Sequence, residues 1–301
     1  MRILVTDGMD KSAIETLRSD GHEIVEQFYA PDALGEALRS FDAVVIRSAT
    51  KIRVSQIDAA KGSQLKLIIR AGVGVDNIDV EYAEQNGISV RNTPRASSDS
   101  VAELAIALMF SCARFISAAG FTMHGGKWEK KAYSDGTEIN GKTLGIIGYG
   151  RIGRALASRA VALGMKVVAH DIYLPAEPEK EPVQFVSFEA LLSQSDYISL
   201  HTPSIDGKVL INADTIAKMK DGVIFINTSR GNNVDEAALL AALESGKVHA
   251  AGLDVFAEEP TPNSALYSHP MVSSTPHIGA ATQEAQNRIG AEIVEIIRSF
   301  A

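Results

Sequence analysis

Short apolar runs alternate with amphipathic segments along two successive stretches of this 301-residue chain. Parallel strands need a crossover segment between them, so this alternation is typical of parallel sheets that are covered by helices. The first series of predicted strands covers residues 3–6, 43–47, 67–71 and 88–91, and the second covers residues 143–147, 166–169, 197–200, 223–227 and 250–253. The pattern predicts an α/β protein with parallel sheets.

A glycine-rich turn follows the first strand of the second series. Residues 148–153 read G-Y-G-R-I-G, which is the spacing G-x-G-x-x-G, and a helical pattern continues from them. Gly148 allows a tight turn, Gly150 lets the backbone approach a pyrophosphate, and Gly153 lets the helix pack closely on the strand. The N–H groups at the start of that helix then face the anion. The motif predicts a dinucleotide site, with a purely structural turn as the alternative.

Asp171 completes the predicted dinucleotide site. It follows the next apolar run, at the separation where an acidic residue hydrogen-bonds the ribose 2′-hydroxyl group of adenosine. A carboxylate there repels a 2′-phosphate, so NAD is favoured over NADP. The preceding strand, the following helix and Asp171 together favour the cofactor site over the structural turn.

Charge and composition limit the classes of partner. The net charge of −8 provides no basic stripe for nucleic acid, so small molecules are the expected partners and a local cationic pocket must capture an anionic substrate. The single cysteine, Cys112, excludes an internal disulfide and fits a cytoplasmic location. Residues 101–120 are apolar but include Glu103 and Arg114, which favours a buried or interface helix over a membrane span. The scattered histidines predict no metal site.

The pattern also predicts two domains. A long helix is expected from a capping box at residues 100–103 to Gly125 and Gly126, which would end it. The last helical stretch is expected to pack back on the first domain. Residues 1–98 plus 283–301 are therefore predicted as a discontinuous substrate-binding domain, and residues 99–282 as an NAD-binding Rossmann domain.

Three polar residues in the second half of the chain stand in positions like the strand ends at which ligands bind in open α/β sheets. They are Arg230, Glu259 and His277. Hydride transfer between an alcohol carbon and a nicotinamide needs a base for the hydroxyl proton, a cation for the substrate and a neighbour that tunes the base. His277, Arg230 and Glu259 suit those roles in that order, since a carboxylate stabilises a protonated imidazole.

Several longer motifs carry a family resemblance. They are R-A-G-V-G-V-D-N at residues 70–77, the glycine turn at 148–153, N-T-S-R-G at 227–231, L-D-V-F at 253–256 and P-H-I-G-A at 276–280. With these motifs the chain resembles the D-isomer-specific 2-hydroxyacid dehydrogenases, and within them the enzymes that act on D-3-phosphoglycerate. The resemblance implies two Rossmann-like or flavodoxin-like doubly wound parallel-sheet domains with the cleft between them, and a homodimer formed through the long helix.

The resemblance also implies site residues. The catalytic set is carried onto Arg230, Glu259 and His277. Together with the glycine motif, the resemblance predicts NAD contacts at Val73, Gly148, Gly150, Arg151, Ile152, Gly153, Asp171, Thr202, Thr228, Ser229, Arg230, Asp254, His277 and Gly279.

The predicted substrate is a small anionic 2-hydroxy or 2-keto acid. Backbone N–H groups at Val73 and Gly74 can form a nest for its carboxylate, with a plain tight turn as the alternative. Arg47, Lys51 and Lys130 occupy places that resemble phosphate-binding positions, and ordinary surface charge is the alternative for each lysine. Lys130 stands where an arginine is expected, which weakens bidentate recognition of a phosphate. Arg230 and His277 complete the predicted substrate set.

The expected reaction is the NAD-dependent oxidation of D-3-phosphoglycerate to 3-phosphohydroxypyruvate and its reverse, the first step of L-serine synthesis in the enzymes that the chain resembles. One alternative is a reductase of an unphosphorylated 2-keto acid such as hydroxypyruvate or glyoxylate. The other is an NAD(H)-sensing protein that works like a corepressor. A C-terminal regulatory domain of the kind that some relatives carry is not expected.

Overall fold

The computed structural model describes residues 1–204 and 208–300 of the chain. The chain divides into two compact units, one made of Met1–Ser98 with the C-terminal residues from Ala280, the other of Asp99–Gly279. The second boundary differs from the predicted one at residue 283. The reason is that Ala280 and Thr282 bond to the last helix: Gln286 Nε2 donates to the Ala280 carbonyl at 2.8 Å, and Thr282 Oγ1 accepts from the Ala285 N–H at 3.1 Å.

Strands and helices alternate through most of the described residues. The strands are β1 (Arg2–Val5), β2 (Glu23–Glu26), β3 (Ala43–Ile46), β4 (Leu67–Arg70), β5 (Ser89–Asn92), β6 (Thr143–Ile147), β7 (Lys166–His170), β8 (Gln184–Phe185), β9 (Tyr197–Leu200), β10 (Val223–Asn227), β11 (Val248–Leu253) and β12 (Val272–Ser274). The helices are α1 (Lys11–Ser19), α2 (Pro31–Leu38), α3 (Val54–Ala59), α4 (Val80–Gln85), α5 (Ser98–Arg114), α6 (Ile116–His124), α7 (Arg151–Ala162), α8 (Phe188–Gln194), α9 (Ala213–Ala217), α10 (Glu236–Glu244), α11 (Ser264–Tyr267) and α12 (Gln283–Phe300). Short 3-10 helices cover Lys130–Tyr133, Pro178–Lys180 and Gly231–Asn233.

The first unit contains a parallel sheet whose described strands lie in the order β2-β1-β3-β4-β5. This is the flavodoxin-like order, in which ligands bind beyond the carboxyl ends of the strands where the order reverses, between β1 and β3. The α12 helix packs beside α1 in one of the two apolar cores of this unit. Ile289, Ile293 and Ile297 from α12 are buried there with Ile14 and Leu17 from α1. The last helix therefore belongs structurally to the beginning of the chain.

The second unit contains a larger parallel sheet, whose described strands lie in the order β12-β11-β10-β9-β6-β7-β8. Strands β9 and β10 are buried along their whole length, as expected when helices cover both faces. The order reverses between β6 and β9, which is the Rossmann arrangement. The glycine turn that follows β6 lies at this reversal, where a dinucleotide binds in such sheets.

The predicted long helix is two helices. It begins at Ser98, so Ser100 and Glu103 lie inside α5 and the predicted capping box is wrong. A bend of 69° separates α5 from α6 at Phe115, whose backbone is left-handed with φ of 55°. The centroid of the Phe115 ring lies 6.0 Å from those of the Tyr133 and His249 rings, so the residue at the break packs against two aromatic side chains.

No single described helix is long and apolar enough to span a membrane, whereas the bent pair α5 and α6 has sufficient length and apolar composition. Many α5 side chains, among them Ala105, Leu108, Met109 and Cys112, are buried in the core of the second unit.

Candidate active site

The glycine turn after β6 has the shape that the motif predicts. Gly148 has φ of 93°, and a Cβ atom on it would lie 2.8 Å from the carbonyl carbon of His201. A Cβ on Gly153 would lie 2.3 Å from the Gly148 oxygen, so glycine is needed for the close packing of α7 on the turn. A Cβ on Gly150 would meet no described atom within 4 Å. The backbone at Gly150 and the start of α7, with Arg151 and Ile152, are thus open to a ligand.

Asp171 lies beyond the end of β7 and is fastened to the glycine turn. Its Oδ2 atom accepts a hydrogen bond of 2.6 Å from the Tyr149 N–H, and its Oδ1 atom accepts one of 2.9 Å from the Tyr173 N–H. Each carboxylate oxygen has a second lone pair, so the side chain can still accept from a ribose hydroxyl group. The next side chains, Ile172 and Tyr173, are 82% and 80% exposed.

Tyr149, inside the glycine turn, is bound by its side chain as well as by its backbone. Its hydroxyl group donates to Glu181 at 3.0 Å, and Arg154 from α7 also donates to Glu181. Burial, with the Glu181 carboxylate beside it, raises the pKa of the Tyr149 hydroxyl to about 12. Glu181, in the segment between β7 and β8, therefore braces the glycine turn.

His277 and Glu259 form the pair that the sequence predicted. The His277 Nδ1 atom lies 2.7 Å from Glu259 Oε2, and the other carboxylate oxygen accepts from the Phe256 N–H at 3.1 Å. Burial alone would raise the pKa of Glu259, but the hydrogen bond and charge of His277, the Phe256 N–H and the charge of Arg230 together hold it below its usual range. Glu259 is therefore a carboxylate at neutral pH, and it accepts a hydrogen bond from the Nδ1–H group of His277.

The loop that carries His277 is built around Asp254. This carboxylate is 1% exposed and accepts from the Thr275 hydroxyl at 2.6 Å and from the N–H groups of Ile278 and Gly279 at 2.8 and 2.9 Å. The His277 N–H donates to the Asp254 carbonyl at 2.8 Å, and His277 has a positive φ of 52°. Burial raises the pKa of Asp254 in spite of the hydrogen bonds, which lower it. Among the predicted cofactor residues, Asp254 and Gly279 thus bond to each other and fix the imidazole.

Arg230 follows β10 in the same unit. Its Nη1 atom donates to the Ser229 carbonyl at 2.6 Å, and Asn227 Nδ2 donates to the Arg230 carbonyl at 2.9 Å. The positive charge of Arg230 contributes to the lowered pKa of Glu259. Of the three proposed catalytic residues, His277 and Glu259 are thus joined by a hydrogen bond, and Arg230 belongs to the same unit.

The other predicted cofactor residues at this edge differ in whether their side chains already have hydrogen-bond partners. Ser229 is engaged with Asn227, since its N–H and hydroxyl group both donate to the amide oxygen at 3.0 Å. Thr202 accepts from the side chain of Asn233 at 3.1 Å. Thr228 Oγ1 is buried and has no hydrogen-bond partner among the described residues. This orphaned hydroxyl group, the open backbone at Gly150 and the available lone pairs of Asp171 fit a bound dinucleotide.

His201 is excluded as a second proton donor. Burial lowers the pKa of His201 to about 4, so the ring is neutral at pH 7. One ring nitrogen pairs with the Ser199 hydroxyl group at 2.8 Å, and Nδ1 has no partner among the described residues. No group of three or more His, Cys, Asp or Glu side chains able to hold a metal ion occurs in residues 1–204 and 208–300.

The predicted substrate residues are divided between the two units. Arg47, Lys51, Val73 and Gly74 belong to the first unit, and Lys130, in an exposed 3-10 helix, belongs to the second. Val73 is 38% exposed, and its carbonyl accepts from Asn92 Nδ2 at 2.6 Å.

Sequence reasoning missed Arg70 at the end of β4. Its neighbour across the sheet is Ile46, which directly precedes Arg47, so two arginines occupy the carboxyl ends of adjacent strands. The Arg70 Nη1 atom donates to the Ala71 carbonyl at 3.1 Å, and a Cβ on Gly72 would lie 1.3 Å from that nitrogen. The missed signal was the charge that ends the apolar run L-I-I-R, because a polar residue at that point of a parallel strand faces the ligand edge.

Known proteins resemble this chain along its whole length. A sequence model described as D-isomer specific 2-hydroxyacid dehydrogenase, NAD binding domain, matches residues 106–279. A hydroxypyruvate reductase from Thermotoga maritima is 49% identical over 98% of this chain and 97% of that protein. A D-3-phosphoglycerate dehydrogenase from Bacillus subtilis is 45% identical over 100% of this chain and 57% of that protein. The structure of a glyoxylate reductase from Paecilomyes thermophila, 34% identical, matches 99% of this chain and 94% of that one with a TM-score of 0.89.

The D-3-phosphoglycerate dehydrogenases in this comparison are longer proteins. The chain covers 48% of one from Arabidopsis thaliana and 55% of the human one. It therefore spans about half the length of these relatives, whereas it covers nearly all of the hydroxypyruvate reductase.

Proposed function

Because this chain belongs to the D-isomer specific 2-hydroxyacid dehydrogenases and carries their NAD-binding domain, we propose that it interconverts D-3-phosphoglycerate and 3-phosphohydroxypyruvate. The NAD-dependent dehydrogenase activity is that of the family, and the choice of substrate is the proposal. The observation that carries it is the pair Arg47 and Arg70 at the ends of neighbouring strands. Two guanidinium groups supply the charge and the forked N–H geometry that a phosphate prefers.

The roles of the reacting groups follow from the hydrogen bond between His277 and Glu259. The ionised Glu259 accepts from Nδ1, so Nε2 is the nitrogen that exchanges a proton with the substrate oxygen. In reduction, protonated His277 donates that proton to the keto oxygen. In oxidation, neutral His277 removes the proton from the hydroxyl group and becomes protonated. Arg230 binds the substrate carboxylate and polarises the keto oxygen. Bound NAD supplies the site that accepts or returns the hydride.

Side chains of the second unit would hold NAD in this proposal. The glycine turn and the start of α7 would hold the pyrophosphate, Asp171 would accept from the adenosine ribose, and the buried Thr228 hydroxyl group would be available to the nicotinamide end. Val73, Gly74, Lys51 and Lys130 remain proposed contacts of the substrate or cofactor on the resemblance described above.

A second candidate substrate is hydroxypyruvate. The relative from Thermotoga maritima that bears this substrate in its name is 49% identical and matches the chain almost from end to end. Hydroxypyruvate has the same reacting carbons without the phosphate, so the catalytic set would serve it equally. The two candidates differ only in whether the arginines at the ends of β3 and β4 contribute to binding.

Comparing the two keto acids with NADH tests the proposal. We expect kcat/KM to be higher for 3-phosphohydroxypyruvate, and Arg47→Ala to remove most of that preference. Arg18→Ala, which removes a half-exposed arginine on α1 of the same unit, is the matched control and should leave the preference unchanged. A preference for hydroxypyruvate that survives Arg47→Ala would establish the second candidate, and turnover of neither acid would overturn both.

A homodimer formed through α6 is also proposed. Ile116, Phe121 and Met123 on this helix are 57%, 82% and 57% exposed, and Trp128 just beyond it is 81% exposed. Several large apolar side chains exposed on and beside one helix are typical of an interaction surface. Light scattering after size exclusion should give twice the chain mass, and Phe121→Glu should halve it. Val161→Glu, on the exposed side of α7, should not.

A further inference from the structure

The turn that follows β3 is held by side chains from two other loops of the first unit. This turn, residues 47–50, begins with Arg47 and leads into Lys51. Ser48 and Ala49 at its tip are exposed, whereas Thr50 is 4% exposed. A polar turn with an exposed tip has little packing of its own to fix its shape. Its conformation must come from hydrogen bonds.

Asp7, just beyond β1, binds the N–H side of this turn. Its Oδ2 atom accepts from the Arg47 N–H at 2.7 Å and from the Thr50 N–H at 3.0 Å. Its Oδ1 atom accepts from the Thr50 hydroxyl group at 2.7 Å, and that hydroxyl also lies 2.8 Å from Thr6 Oγ1. One carboxylate thus binds both ends of the turn.

Asn77 binds the carbonyl side of the same turn. Its Nδ2 atom donates to the Arg47 carbonyl at 2.7 Å and to the Thr50 carbonyl at 2.6 Å. The Asn77 carbonyl in turn accepts from the Ile52 N–H at 2.9 Å. Asp7 and Asn77 therefore satisfy the N–H and C=O groups of both Arg47 and Thr50. These hydrogen bonds use the backbone of Arg47 and not its side chain.

We propose that Asp7 and Asn77 are positioning residues for the distal anionic group of the substrate, acting through the 47–50 turn without touching the substrate. The inference rests on the proposed function, because it takes Arg47 as the phosphate-binding cation. The two side chains hold the backbone of Arg47 in one conformation. Binding of an anion by the guanidinium group therefore does not have to include the cost of ordering the turn. Specificity for a phosphorylated acid then depends on residues that carry no positive charge.

The first test compares keto acids in the Asn77→Ala variant. We expect KM for 3-phosphohydroxypyruvate to rise about tenfold, as for the loss of two backbone hydrogen bonds, with kcat changed less than about twofold. KM for hydroxypyruvate should stay near its starting value. Asn86→Ala is the matched control, since that amide also donates to a backbone carbonyl of this unit, that of Tyr82 at 2.7 Å, and it should change neither KM.

A double-mutant cycle shows whether Asn77 acts through Arg47. If it does, adding Asn77→Ala to Arg47→Ala raises KM for the phosphorylated acid by less than about twofold, since the group that it positions is gone. Fully multiplicative effects would overturn the proposal. Asp7→Asn, which keeps the side-chain volume, provides the same cycle if Asn77→Ala does not fold.

Hydrogen exchange of residues 47–52 separates this proposal from the substrate assignment. Faster exchange in Asn77→Ala, together with the selective rise in KM, supports both. If exchange rises but neither Arg47→Ala nor Asn77→Ala alters KM, the phosphate assignment is wrong, and the positioning role is overturned with it. If Arg47→Ala raises KM selectively and Asn77→Ala does not, the substrate assignment stands and the positioning role is overturned.

Discussion

Replacing Glu259 with glutamine tests the proposed proton transfer most directly. Glu259 Oε2 lies 2.7 Å from His277 Nδ1, and its pKa lies below the usual range, so the native pair is a carboxylate bound to a ring N–H. Glutamine preserves the size of the side chain and one acceptor oxygen, and it removes the negative charge. Protonated His277, which must donate the proton in reduction, is the species that loses stabilisation.

The size of the effect follows from the exposure of the pair. A hydrogen bond to a charged group contributes roughly 1.5–3 kcal/mol. The His277 and Glu259 side chains are 35% and 36% exposed, so solvent screening places this pair at the lower end of that range. Since about 1.4 kcal/mol corresponds to a factor of ten in rate, kcat/KM for reduction should fall roughly tenfold in the variant.

The assay is NADH oxidation with a saturable keto acid at neutral pH, where kcat/KM of the variant should be roughly tenfold lower than that of the native enzyme. Glu258→Gln removes the adjacent exposed carboxylate and should leave kcat/KM unchanged. An unchanged kcat/KM in Glu259→Gln would refute the reasoning.

Three further predictions concern the second unit. Asp171→Asn removes the charge that repels a 2′-phosphate, so the ratio of Kd values for NADPH and NADH, measured by cofactor fluorescence, should fall at least about tenfold; an unchanged ratio would contradict the role of Asp171. Tyr149→Phe deletes the hydroxyl bond that braces the glycine turn, and the Kd for NADH should rise about fivefold, whereas unaltered binding would show that the brace is dispensable. Gly231→Ala would place a Cβ 1.8 Å from the carbonyl carbon of Phe256 and should lower Tm by more than about 5 °C in a melting experiment, while Gly120→Ala, where nothing lies within 4 Å, should not lower it.

The sequence predicted best those parts of the site whose chemistry demands particular residues at close spacing. The turn at Gly148 to Gly153 and the acid Asp171 needed only local backbone geometry and one following strand. His277 and Glu259 could be assigned to a pair from the roles that hydride transfer requires, and the structure supplies their contact of 2.7 Å. Arg70 was missed because its place beside the end of β3 depends on its pairing with Ile46. The sequence of one strand alone does not determine the register of two paired strands.

The edge strands β2, β8 and β12 and the break between α5 and α6 could not be predicted from the sequence for a different reason. Strand β2 begins and ends with glutamates, β8 has two residues and β12 has three, so none shows the long apolar run of a central strand. The break between α5 and α6 falls at Phe115, with neither glycine nor proline at that position. The Phe115 ring there contacts Tyr133 and His249, which are distant in the chain.

The return of α12 to the first sheet sets an order of events during synthesis. Domains usually fold in the order in which they leave the ribosome. Here Ile289, Ile293 and Ile297 supply part of the core that buries β1 and α1, so the N-terminal unit stays incomplete until residues 283–300 have emerged. The unit formed by Asp99–Gly279 has its whole core encoded earlier. The cofactor-binding half of the enzyme can therefore mature first, and the half that begins the chain is finished last.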